Sequence, residues 1–296
     1  MKPAPLKPGD KIAIVATAKR LERPIEPGLG ILASWGLDVC KGQFLNNPDE
    51  YFAASDANRL ADLQWAMDNP DVKAICFARG GYGTTRILDQ ADYSSFSQNP
   101  KWTIGFSDLT GFQLQMASLG IAAVHGPMAY TLGQDDASDV ALKNLLFGEQ
   151  QFAIELNPKR HSAEGKCMAA ITGGNLSLIY ESIGAANEMV CDGKILFLEE
   201  VGESLYAVDR MLNKLKRTGK LDRLAGLIVG DFSHINDPAG YFSRDCYALI
   251  ASYFYNLNIP KAFGFPGGHE NRNISLLMNA PVQMTVESGI LYLDYK

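Results

Sequence analysis

Three residues of this chain, Ser107, Glu199 and His269, combine reactive side chains with settings that suit chemistry. Trp102-Thr103-Ile104-Gly105-Phe106-Ser107-Asp108 runs from an apolar strand pattern into a serine, and a helical pattern follows from Leu109. A serine on a sharp strand-to-helix turn has its hydroxyl pushed out of the sheet, with the next backbone N–H groups open to an anion. A plain helix N-cap at Ser107 or Asp108 explains the same letters. Leu198-Glu199-Glu200-Val201-Gly202-Glu203 ends an apolar strand in acids. Glu199 closes the strand and can point inward, whereas Glu200 and Glu203 suit a solvated helix start stabilised by the dipole. Gly267-Gly268-His269 places an imidazole in a glycine-rich loop, a better catalytic setting than an apolar run. His125, ending a strand before Gly126-Pro127, is the rival base, unless it holds a structural hydrogen bond. A hydroxyl nucleophile, an imidazole that takes its proton and an acid that orients the imidazole make a triad, in any chain order.

A fourth segment, Ala78-Arg79-Gly80-Gly81-Tyr82-Gly83-Thr84, follows another apolar strand. Exposed N–H groups at a helix start suit an anion. A nucleoside triphosphate fits poorly, because no Gly-Lys-Ser/Thr ending follows the glycines. An oxyanion hole or a site for a substrate carboxylate is the sharper reading, and a tight turn the plainer one. Arg79 is the candidate partner for a carboxylate, since a guanidinium binds both oxygens; a brace for the loop is its other reading.

These residues need a frame that brings strand ends together. Lys11–Ala16, Leu37–Lys41, Ala74–Ala78, Thr103–Phe106 and Ile121–Val124 read as strands. Helical patterns at Glu26–Trp35, Ala57–Met67, Thr84–Gln90 and Leu109–Leu119 separate them. Such alternation predicts a parallel sheet whose site lies at the carboxyl ends of its strands. Ala141–Phe147 reads as a helix, and Gly148 to Gly165 is polar and carries Pro158. A domain boundary is expected there, between an N-terminal domain over 1–155 and a C-terminal domain over 170–296. The second part reads as Ile171–Leu176 leading into a helix to Ile183, then a strand (Lys194–Leu198), a helix (Leu205–Lys216), a strand (Gly226–Gly230) and a helix (Ser243–Tyr255). Antiparallel strands flank Gly289. With Ser107 in one domain and Glu199 and His269 in the other, the site is expected between domains.

Composition narrows the partners. A net charge of −6 argues against nucleic acid and against a membrane surface. There is no run of about 18 apolar residues to span a bilayer and no signal-like start. The five cysteines are scattered without Cys-x-x-Cys spacing, which predicts reduced thiols in a cytoplasmic protein and no metal site.

Together these segments resemble the LD-carboxypeptidases, a family of serine peptidases that includes the microcin C immunity proteins. The ordered set also takes in Lys7-Pro8-Gly9-Asp10-Lys11-Ile12, His125-Gly126-Pro127, Gly173-Gly174-Asn175-Leu176 and Asp209-Arg210-Met211-Leu212. The resemblance implies Ser107 as nucleophile, His269 as base and Glu199 as acid. It implies an oxyanion hole from backbone N–H groups at Asp108 and in the Gly80-Gly81 loop, and is taken with Arg79, Gly80 and Tyr82 as substrate contacts. It also implies an α/β N-terminal domain and a mixed C-terminal domain containing a β-barrel-like sheet. The expected reaction removes a terminal D-alanine from muropeptide tetrapeptides in cytoplasmic recycling, by a homodimer and without a cofactor. An immunity-type hydrolase of aminoacyl-nucleotide amides is the alternative within enzymes. The aromatic that the resemblance expects in its interdomain loop is missing, because no Phe, Trp or Tyr occurs from Ala153 through Ile179. A non-catalytic protein whose two lobes hold a small anion at the Arg79–Gly83 loop is the alternative from another class.

Overall fold

The central strands of the first half are apolar along nearly their whole length, as a sheet covered on both faces requires, whereas the edge strand Asp38–Lys41 has no buried residue. The computed structural model describes residues 1–157 and 161–295; residues 158–160, within the polar stretch, fall outside it. The chain divides into two units, Met1–Glu149 with Asn271–Met278, and Gln150–Glu270 with Asn279–Lys296.

The first unit contains β1 (Lys11–Val15), α1 (Glu26–Ser34), β2 (Asp38–Lys41), α2 (Asp56–Asp68), β3 (Val72–Phe77), α3 (Thr85–Leu88) and α4 (Ser94–Gln98). It continues with β4 (Trp102–Gly105), α5 (Thr110–Ser118), β5 (Ala123–His125) and α6 (Asp136–Leu146). Strands run in the order β5-β4-β3-β1-β2, all parallel, and Leu276–Met278 adds an antiparallel strand beside β5. β1 and β3 turn Ile12–Val15 and Ala74–Phe77 wholly inward. Ser55 caps α2 by accepting from the Asn58 N–H, satisfying one of the helix's orphan donors. The buried face of α2 (Leu63, Ala66, Met67) packs in one cluster with Val72, Ile75, Phe77 and, from α5, Phe112. Since β3 and β4 are neighbours, the glycine loop after one and the serine turn after the other lie side by side.

The second unit contains β6 (Gln151–Glu155), β7 (Gly165–Asn175), α7 (Leu176–Glu181), β8 (Ile195–Val201), α8 (Leu205–Arg217), β9 (Gly226–Ser233), α9 (Cys246–Tyr253) and β10 (Lys261–Phe263). After Leu276–Met278, which is β11, come β12 (Pro281–Glu287) and β13 (Ile290–Tyr295). The sheet order is β10-β9-β8-β7-β12-β13-β6. β7 serves two partners, pairing antiparallel with β12 through Gly165–Ala170 and parallel with β8 through Ile171–Asn175. The sheet curls on itself: beyond β6 the Asn157 N–H donates to Gly264 O at 3.0 Å, and Ala163 bridges Lys261 of β10. A Cβ on Gly226 would sit 3.1 Å from Cys167 Sγ and 3.2 Å from Met284 Sδ, so β9, β7 and β12 face one interior. This is the barrel-like sheet expected of the second half.

Several elements differ from their sequence reading. The polar stretch after Gly148 contains β6, an edge strand in which only Ile154 is buried, so its alternation is too weak to stand out. The helix expected over Thr84–Gln90 is a single turn, and α6 starts at Asp136 because Asp135 caps it, accepting from Ser138 N at 2.9 Å. Short α4, β10 and β11 carry too few residues for any periodicity. Among the described residues no helix is long and apolar enough to cross a membrane.

Candidate active site

Ser107 occupies a strained turn. Phe106 is extended (φ −150°, ψ −176°), Ser107 has φ +65°, and a short 3₁₀ turn over Ser107–Leu109 leads into α5. A non-glycine residue at positive φ costs about 1–3 kcal/mol and persists only where its surroundings enforce it. Gly105 is part of that enforcement, because a Cβ there would lie 2.9 Å from Leu109 Cγ. The strand end and the first helical turn thus approach as only glycine permits.

The glycine loop lies against this serine. A Cβ on Gly80 would stand 3.2 Å from Ser107 Cβ and 3.4 Å from Ser107 Oγ. Gly81, at φ +116°, meets Lys19 instead, with a Cβ 2.7 Å from Lys19 Cβ. Asp108 contributes its side chain as well as its backbone: the wholly buried carboxylate accepts from Thr84 N at 2.9 Å. Burial pushes its pKa up, against the hydrogen bonds from Thr84 and Gly83. Its backbone N–H is among the first of the helical turn, where no intrahelical acceptor exists. The loop is held from behind by Arg59, 1% exposed, which donates to Gly83 O at 2.9 Å and to Thr17 O.

Arg79 donates to Arg20 O at 3.0 Å and to Glu22 Oε2 at 3.1 Å, and its guanidinium lies 4.5 Å from the centre of the Tyr130 ring. It therefore braces the loop and faces a carboxylate at once. Tyr82 is exposed, with its ring 6.0 Å from Phe52. His125 is wholly buried within β5, edge-on to Phe106.

In the second unit, three strand ends converge on the remaining candidates. Glu199, wholly buried near the end of β8, accepts at Oε2 from His269 Nδ1, 2.8 Å away. The His269 side chain keeps 18% of its surface exposed. Its loop leaves β10 and folds over the end of β9, where Asp231 N donates to Gly267 O at 2.9 Å. Gly268 makes this possible: it has φ +146°, and a Cβ would lie 3.0 Å from Asp231 Cβ and 3.3 Å from Glu199 Oε2. Burial pushes the imidazole pKa down; the charge and hydrogen bond of Glu199, with Glu200 and Asp231 behind it, outweigh that and hold it above the ordinary histidine value. An ionised carboxylate can only accept, so Nδ1 carries the proton and Nε2 is the basic nitrogen, a tautomer assigned from this partner.

Glu200 departs from its sequence reading. It lies within β8 at 2% exposure, not on a solvated helix start. It accepts from Asn175 Nδ2, Ser177 N, Ser177 Oγ and Val201 N at 2.7–2.9 Å, tying α7 to the strand. Asp231, Lys19, Glu22 and Tyr130 were not singled out from the sequence. Asp231 had a usable signal, since Leu227-Ile228-Val229-Gly230-Asp231 ends an apolar strand in an acid just as Leu198-Glu199 does.

Residues 12–126 match the LD-carboxypeptidase N-terminal domain family, and residues 169–284 match the LD-carboxypeptidase C-terminal domain family. The probable murein peptide carboxypeptidase of Bacillus subtilis (strain 168) is 34% identical, covering 98% of this chain and 95% of its own length. The microcin C7 self-immunity protein of Escherichia coli is 24% identical over 92% of this chain and 90% of its own. Among solved structures, a muramoyltetrapeptide carboxypeptidase from Oxalobacter formigenes superposes with a TM-score of 0.86 at 26% identity, covering 96% of this chain and 98% of that one.

Proposed function

This chain belongs to the LD-carboxypeptidase family, and on that premise we propose that it is a serine carboxypeptidase that releases the terminal D-alanine of murein tetrapeptides. The observation that carries the reading is the 2.8 Å bond between His269 Nδ1 and the buried Glu199. It leaves Nε2 as a base of raised pKa for a serine already held at φ +65°. In this mechanism Ser107 Oγ attacks the carbonyl preceding D-alanine while His269 Nε2 takes the hydroxyl proton. Glu199 stabilises the imidazolium that forms, as the acid of a triad does. Backbone N–H groups of Asp108 and Gly81 receive the oxyanion. The C–N bond then breaks, His269 hands its proton to the departing amine, and water, deprotonated by the same nitrogen, releases the acyl group from Ser107.

The test is D-alanine release from purified tetrapeptide by wild-type protein and by Ser107→Ala. Release is expected from the wild type alone, and full activity in Ser107→Ala removes Ser107 as nucleophile. The match to a microcin immunity protein keeps a second substrate in the assay: cleavage of an aminoacyl-sulfamoyl adenosine with the tetrapeptide untouched favours that reading. Tight muropeptide binding without turnover of either favours a binding protein. We place the reaction in cytoplasmic muropeptide recycling and assign the enzyme as a homodimer, which light scattering of the purified protein checks.

A further inference from the structure

Beside the glycine loop, one acidic side chain sits where a ligand's carboxylate belongs. Glu22 Oε1 lies 2.7 Å from Lys19 Nζ, and its Oε2 lies 3.1 Å from Arg79 Nη1, so each oxygen of one carboxylate meets its own cation. Both cations are built in. Lys19 packs its stem against Gly81, and its Nζ lies over the Tyr51 ring. The Arg79 guanidinium rests on the Tyr130 ring, whose other cationic neighbour is Arg23 at 4.3 Å. Arg79 and Lys19 have side-chain exposures of 15% and 26%, whereas Glu22, on the loop between β1 and α1, has 48%. The more buried partners are thus the cations, and the more exposed one, open to exchange with a ligand from solvent, is the carboxylate.

The position of this pair relative to the serine gives it meaning. Arg79 immediately precedes Gly80, the residue in contact with Ser107, and Lys19 touches Gly81, the next in the loop. A peptide whose scissile carbonyl sits at Ser107 carries its terminal carboxylate only one residue further on. We propose that Lys19 and Arg79 form the subsite for that terminal carboxylate, and that Glu22 occupies it as an internal stand-in which the substrate displaces. The assignment rests on the carboxypeptidase reading above. Lys19 and Arg79 hold the Glu22 carboxyl down to about 2, so it is ionised at any working pH. Exposed ion pairs hold loosely, so one carboxylate exchanges for another with little penalty.

A site filled by its own side chain binds ligand in proportion to the fraction of time it stands open. An internal carboxylate present about 70–90% of the time therefore weakens apparent binding about 3–10-fold. The experiment compares wild-type, Glu22→Gln and Lys19→Gln proteins on a tetrapeptide ending in D-alanine and on the same peptide ending in D-alaninamide. The readout is the ratio of kcat/KM for the acid to that for the amide, which a merely structural role does not move. Glu22→Gln is expected to raise this ratio about 3–10-fold, and Lys19→Gln to lower it about tenfold. A ratio unchanged or lowered in Glu22→Gln overturns the stand-in. If wild-type protein cleaves neither peptide, the carboxypeptidase reading has failed, and calorimetry with N-acetyl-D-alanine then decides the subsite. Tighter binding to Glu22→Gln than to wild type, lost in Lys19→Gln, supports it; equal affinity or no binding overturns it.

Discussion

His269 is pulled both ways, and the sign of the balance is testable. Burial disfavours its charge, while Glu199 at 2.8 Å, with Glu200 and Asp231, favours it more strongly, so the pKa is raised. In the proposed mechanism His269 is the general base and works unprotonated, so the acid limb of kcat/KM against pH is expected above about 6.5, the ordinary histidine value. Replacing the charge but not the shape, as in Glu199→Gln, removes the strongest of the influences that raise the pKa and leaves burial opposed only by Glu200 and Asp231. The limb then moves to lower pH, and the plateau falls by about 10³–10⁴ as the tautomer is lost. An unmoved limb shows that another group titrates. The same shift acts on folding. A raised folded-state pKa stabilises the protein fully below about pH 6.5, and that contribution is lost as pH rises through the folded value. Melting temperature is therefore expected to fall with pH across that window in wild-type protein and to vary less in Glu199→Gln.

At the scale of elements, the turn that carries Ser107 depends on a missing side chain. A Cβ at Gly105 meets Leu109, 1% exposed, at 2.9 Å, so Gly105→Ala must push the first turn of the helix away from the strand. Displacing a catalytic group by about 1 Å costs about 10²-fold in rate, so kcat is expected to drop by that order and the melting temperature to fall with it. Gly30→Ala is the control. Its Cβ meets nothing within 4 Å inside α1, and stability is expected to rise by roughly 0.5–1 kcal/mol with activity intact.

The contrast between glycines explains what was readable in the sequence. Strand ends, loops and glycines around Ser107, Glu199 and His269 are local features, so their letters and spacing reveal them. The burial of Glu200 and the pairing of Glu22 with Arg79 arise from strands and loops far apart in the chain, and no local pattern encodes them. β6 was hidden for a related reason: an edge strand with one buried residue looks like the loop beside it.

Over the whole molecule, neither unit is a continuous stretch of chain. The first includes β11, which arrives after most of the second has been made, directly downstream of His269. Leu276, Leu277 and Met278 are 0–1% exposed, and β11 covers the β5 edge of the parallel sheet. Burying three such side chains contributes roughly 5–9 kcal/mol, comparable with the roughly 5–15 kcal/mol by which a whole domain is stable. Without β11, β5 becomes an open apolar edge, the kind of surface on which sheets aggregate. A fragment ending at Glu149 is therefore expected to misfold or aggregate, although it holds Ser107 and every other strand of its sheet. Appending residues 271–278 through a flexible glycine-serine linker is expected to restore a cooperative thermal transition followed by circular dichroism. A cooperative transition of equal midpoint in both fragments overturns the dependence on β11, and restoration by the appended segment alone locates it in those eight residues.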